Sequence, residues 1–205
     1  MRYNPGVKIL RKVNNISTNF LPSIVSPISP FGIGTKERGA KDRINKTDLI
    51  LYSSKDIGYI SLSEITKGHE YLGKYKVMVS QTSAEHAGEA DKSGAFKVIT
   101  SALKVLDKNE VCTHSYIILG QFNNKIEAQN LLNYIKTKFV RFLILLAISS
   151  IHISRQSFSF VPMQDFSKSW TDAELYAKYN LSQDEIDFIE SMIKPMELET
   201  EKGKV

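Results

Sequence analysis

The chain has 205 residues, 42% of them hydrophobic, enough for one good-sized domain with a small extension. A single cysteine, Cys112, excludes an internal disulfide and a cysteine-built zinc site and fits a reducing cytoplasm. The net charge of +5 is unevenly placed: from Thr171 onward nine acids stand against four lysines, a net of −5, which leaves +10 on residues 1–170. A body so charged attracts phosphate and releases counterions from each one it neutralises, although a lysine surplus also serves plain solubility.

In chain order, Val7 to Val13 reads as a short strand, followed by a polar turn at Asn14-Asn15. Three prolines between Leu21 and Pro30 exclude regular structure there. Phe31-Gly32-Ile33-Gly34 invites comparison with the glycine turn that holds S-adenosylmethionine, but no hydrophobic strand precedes it and no helix follows, so a turn glycine is the better reading. Lys36, Arg38, Lys41, Arg43 and Lys46 then fall in a stretch without apolar periodicity, which predicts a mobile basic loop, either a phosphate contact or a plain solvated linker. Asp48 to Tyr52 and Gly58 to Leu62 read as strands across a turn, and Ser63 as the cap of a brief helix ending near Gly68.

Lys74 to Ser80 is the clearest strand, with Tyr75, Val77 and Val79 on one face and Lys74, Lys76 and Met78 on the other. It leads into a polar loop, 81–94, in which Gln81, Thr82 and His86 are candidates for base edges. Phe96 to Leu106 is a β-rich run and Val111 to Leu119 a further strand, on which Cys112 and His114 share a face; with no acid or asparagine partner in view, a structural role is favoured over a catalytic pair.

The stretch from Asn123 to Phe166 organises the chain. Asn124 and Glu127 form a capping box, and Ala128, Leu131, Leu132, Ile135, Phe139, Phe142, Leu143 and Leu146 recur at helical spacing, predicting the longest helix of the protein. Its polar side carries Lys136, Lys138 and Arg141, and the chain then turns through His152 and Arg155 into an aromatic-basic strand ending at Val161-Pro162. Two compact helices follow, capped by Thr171 with Glu174 and by Ser182 with Glu185, their acids facing out and Trp170 anchoring them; 197–205 reads as a flexible tail.

TKFVRF and HISRQSFSFVPMQDFSKSWTDAELYAKYNLSQDEIDFIESMIKPM, with VCTHSYIILGQF, KYKVMVS, LYSSKDIGYI and VSPISPFGI upstream, resemble the C-terminal target-recognition region of type II restriction-modification enzymes that join an adenine-specific DNA methyltransferase to a specificity domain. The resemblance implies a mixed α/β domain lying against DNA beside a catalytic domain. It departs from its relatives at Leu145-Leu146-Ala147-Ile148, where they continue with basic and polar residues, and implies there a weaker phosphate contact or a helix packed on a partner.

The chemistry of that family is not matched. No Glu-x-Lys or Asp-x-Lys is present for a nuclease metal site, no Pro-Pro loop for a flipped adenine, and His69, His86, His114 and His152 lack HNH or HExxH spacing. The expectation is an α+β fold with a target-recognition-like domain at 1–166, a helical appendage at 167–196 and no catalysis of its own. S-adenosylmethionine and magnesium are implied only for a methyltransferase or endonuclease partner. Lys36, Arg38, Lys41, Arg43, Lys138, Arg141 and Arg155 are expected on phosphates of duplex DNA, and Gln81, Thr82, His86 and His152 on base edges. Two alternatives are a protein-interaction module docking through the acidic helices, and a nuclease acting alone.

Overall fold

A computed structural model describes residues 4–81, 90, 92–99, 102–148 and 152–196. The chain begins with helix α1 (Asn4–Ile16), in place of the expected strand. Strand alternation would turn Arg11 inward with Val7, Ile9 and Val13, whereas the helix buries Ile9, Leu10 and Val13 and leaves Lys8 and Arg11 outside. Two small sheets follow. In the first, β1 (Leu49–Tyr52) pairs antiparallel with β2 (Ile57–Ile60), as the alternation predicts. In the second, β3 (Tyr75–Ser80) pairs antiparallel with β4 (Leu103–Leu106).

The run from Val111 onward is not one strand. It divides into β5 (Glu110–Cys112), parallel to β1, and β6 (Tyr116–Phe122), antiparallel to β3, so the chain changes sheets at a turn closed by Tyr116 N–H on Thr113 O at 3.1 Å. The sheet orders are therefore β2-β1-β5 and β4-β3-β6, and Gly120-Gln121-Phe122 belongs to β6 instead of linking it to a helix.

The second sheet is the middle layer of the molecule. Val77 and Val79 of β3 and Ile117 and Leu119 of β6 face the larger core with the helices, while Met78 and Ile118 face a smaller core with Leu51, Ile60 and Val111 of the first sheet. The register of β3 on β6 slips between Val77 and Met78, leaving Leu119 as an extra residue that keeps both faces apolar. Lys76, on the same face as Met78, is fully buried, its Nζ donating to the carbonyls of Asp107 at 2.9 Å and Lys108 at 3.2 Å.

The expected long helix is two, α2 (Lys125–Lys136) and α3 (Lys138–Ala147). Asn124 does cap α2, accepting Ile126 N–H at 2.8 Å. Thr137 breaks the continuation: its ψ is 151°, its hydroxyl donates to Tyr134 O at 2.7 Å and accepts Val140 N–H at 3.3 Å, a local alternative to the helical ladder. With 13 residues α1 is slightly longer than α2, which has 12. Leu145 is buried and Leu146 and Ile148 pack partly buried on the larger core, so the apolar segment that departs from the resembled family lies within this fold.

Beyond α3 the expected aromatic-basic strand ending at Val161-Pro162 is instead a 3-10 turn, Arg155–Phe158, fixed by Ser154 N–H on Ser157 Oγ at 3.0 Å, with Pro162 in an isolated bridge to Phe20. A second 3-10 turn at Leu62–Glu64 is capped by Ser61 rather than Ser63. The C-terminal helices form as their capping boxes predict, α4 (Asp172–Lys178) and α5 (Gln183–Met192). They are integral to the larger core, which includes Leu175, Tyr176, Tyr179, Ile189 and Ile193 together with α1 to α3. The architecture is thus mixed α+β. No helix among the described residues is long and apolar enough to cross a membrane.

Candidate nucleic-acid interface

The basic stretch 35–47 lies along the free edge of β2. Ala40 and Tyr59 exchange backbone hydrogen bonds of 2.7 and 2.8 Å, an antiparallel bridge that adds this segment to the outside of the first sheet. The approach requires glycine on the strand: a Cβ at Gly58 would lie 2.1 Å from Arg38 O. Of the three acids in and beside the segment, Asp42 is exposed between Lys41 and Arg43, and the other two are engaged by the local backbone. Glu37 accepts the N–H groups of Arg38 at 3.0 Å and Gly39 at 2.9 Å, and buried Asp48 those of Asn45 at 2.7 Å and Ile44 at 3.0 Å. These bonds, foremost that from Gly39 to Glu37 and that from Asn45 to Asp48, hold both carboxyls below their ordinary pKa, so both are charged at neutral pH.

The loop is therefore braced, not slack as its composition implies. Arg38 turns back on the segment, donating to Thr35 O at 2.8 Å and Glu37 O at 2.7 Å. Arg43 is exposed, its guanidinium 5.1 Å from the Tyr59 ring centroid. Lys36, Lys41 and Lys46 are exposed and pair with no carboxylate among the described residues. Four exposed cations are thus presented on a braced backbone, with Glu37 and Asp48 engaged by backbone N–H groups and Asp42 exposed among them.

A second strip begins at the root of this turn, where His114 N–H donates to Ile33 O at 2.9 Å. Gln81, His152 and Arg155 gather there, as Gln81 O accepts Ile153 N–H at 2.8 Å and Gln81 N–H donates to Ser115 O at 2.9 Å. The Gln81 amide nitrogen is engaged, donating to His114 O at 2.5 Å and Tyr116 O at 3.3 Å, which fits a structural tie better than a base reader. Arg155 is exposed but anchored by Nε on Val25 O at 2.8 Å, and His152 is exposed. Thr82 and His86 lie outside the described residues. The expectation that His114 shares a strand face with Cys112 does not hold: His114 is exposed on the turn, whereas Cys112 is fully buried and burial pushes its thiol pKa up.

Lys138 and Arg141 are placed differently. Arg141 is only 1% exposed, with Nε donating to Lys136 O at 3.0 Å and a terminal nitrogen to Lys97 O at 3.3 Å. Lys138 pairs with Glu190 of α5. Asp172 of α4 caps α3 from outside, accepting the N–H groups of Lys138 at 3.0 Å and Phe139 at 2.8 Å, and its carboxyl is raised by burial against the pull of those bonds. Glu185 is likewise turned inward, 2.6 Å from Lys12 of α1. The acids of the C-terminal helices expected to face out therefore include three, Asp172, Glu185 and Glu190, that bind the body of the protein.

Residue type alone misses Gly58, Asp48 and Ile44. The first two build the turn and the third is 78% exposed on it. The only sequence signals are a glycine inside a strand and an acid three positions after Asn45. Among the described residues no group of three His, Cys, Asp or Glu side chains is arranged to hold a metal ion. No protein-family model matches the chain, and no curated protein is significantly similar to it.

Proposed function

We propose that this chain is a duplex-DNA recognition module that directs a methyltransferase or endonuclease partner to its target in the cytoplasm and makes or breaks no bond itself. The observation that carries this reading is the braced turn at 35–47, with Lys36, Lys41, Arg43 and Lys46 exposed, Glu37 and the adjoining Asp48 engaged by backbone N–H groups, and Asp42 the one other acid among them. A fixed row of cations on a sheet edge docks on a phosphate backbone without first ordering a loop. The strip with His152 and Arg155 at the root of the turn extends the same face, and the sequence resemblance to restriction-modification specificity regions supplies the class of partner. A basic protein seeking the acidic helices would find fewer charges than composition offers, since Asp172, Glu185 and Glu190 are already engaged.

The test is a salt titration of duplex binding by fluorescence anisotropy. Each phosphate that a protein neutralises adds roughly 0.9 to the slope of log K against log salt, so the variant Lys41→Ala/Arg43→Ala/Lys46→Ala should flatten that slope by about 2 to 3. Lys138→Ala should leave it unchanged. Absence of duplex binding at low salt, or an unaltered slope in the triple variant, would remove this reading; magnesium-dependent cleavage of plasmid DNA by the chain alone would replace it with a nuclease.

A further inference from the structure

The basic turn presents Ile44 at 78% exposure, above Ile126 at 64%, Ile57 at 63% and the other exposed large hydrophobic residues among those described. Scattered surface isoleucines need no explanation, but this one has a particular setting. Arg43 precedes it, Lys46 follows two positions on and Lys41 lies three positions before it, all exposed, so that three cations surround it against one exposed acid, Asp42. Its own N–H and that of Asn45 are both held by the Asp48 carboxylate, so the backbone beneath the side chain is fixed by a buried anion. A β-branched side chain has few χ1 rotamers and loses little freedom when it is inserted.

We infer that Ile44 is a wedge that enters the base stack of duplex DNA while the flanking cations hold the phosphates on either side. The inference rests on the DNA reading above and adds to it a mode of contact. Proteins that kink DNA insert apolar side chains of this kind between base steps, offsetting the cost of unstacking with the additional surface that the bent duplex brings into contact. One isoleucine suffices for one base step, whereas it offers far too little apolar area to anchor a bilayer. The wedge discriminates without hydrogen bonds: pyrimidine–purine steps unstack most easily, so the turn engages any duplex but settles at such steps.

The experiment uses the full chain and a short duplex with 2-aminopurine at central TA steps, whose fluorescence rises on unstacking. Wild type and Ile44→Met should raise the fluorescence. Ile44→Ala should abolish the rise and weaken binding roughly tenfold, as expected when one aliphatic side chain is no longer buried, with the salt slope intact. Because Ile44 lies outside both cores, its variants should keep the wild-type melting temperature. A fluorescence rise that persists in Ile44→Ala overturns the wedge and leaves the DNA reading standing. Failure of wild type to bind any duplex at low salt overturns both. Binding of wild type to phosphatidylserine vesicles that Ile44→Ala abolishes would assign the side chain to a membrane surface and overturn the wedge equally.

Discussion

Two regions of this protein are rich in cations, and they use them in opposite ways. On the edge of β2 the acids Glu37 and Asp48 accept backbone N–H groups, which leaves the neighbouring lysines without carboxylate partners among the described residues. At the junction of α3 with α4 and α5, Asp172 and Glu190 come from other helices, so that Lys138 is paired and Arg141 is enclosed. The local sequences look alike, since each sets several lysines or arginines within a few residues. What separates an exposed basic face from an internal brace is where the anions are directed, and charge counting along the chain does not register that.

The contrast is sharpest at Arg141. Replacing it by alanine should lower the unfolding free energy by about 3–5 kcal/mol, because the carbonyls of Lys136 and Lys97 are left without their donor and a large side chain that is 1% exposed is removed from its packing. Urea denaturation reads this directly, and the folded fraction should bind duplex with the wild-type salt slope. A decrease below about 1 kcal/mol would place Arg141 with the surface cations and erase the distinction.

Lys76 extends the comparison to a cation enclosed without any acid in hydrogen-bond contact. Burial lowers its pKa from 10.5 to about 8. Below pH 8 it is protonated whether folded or unfolded; between 8 and 10.5 the unfolded chain keeps the proton that the folded chain has released, so stability rises with pH in that window. Wild type should gain about 3 kcal/mol relative to Lys76→Met across it. Denaturant melts of both proteins at several pH values check the difference, and parallel curves would show that Lys76 stays solvated. The smallest effect concerns the other region. Gly58→Val should cost about 1–3 kcal/mol by driving a side chain into Arg38 O, and should weaken duplex binding by loosening the turn, which the same melts and an anisotropy titration measure.

Much of the fold is legible in the sequence because its signals are local. Alternation marks β1, β2 and β3, and capping boxes place the first turns of α4 and α5. The division of the long helix is harder to read, because Thr137 offers only a weak local break and the carboxylate that reinforces it, Asp172, lies 34 positions away from Lys138. The first helix reads as a strand because a run such as Val7 to Val13 suits either period until the burial of Leu10 decides it. Of the candidate site, residue type finds the cations at 36–46 and misplaces Arg141 by the same rule, which sets charge on the solvent side unless a partner is known.

The bridge between Ala40 and Tyr59 has one more consequence, for self-association. In the order β2-β1-β5 the outer strand β2 carries a row of amides and carbonyls that would template a strand from another molecule, and the 35–47 segment occupies part of that row while surrounding it with like charges. A fragment trimmed to begin at β1 would lack that guard, and its exposed rim would invite cross-strand aggregation at concentrations where the full chain stays dispersed.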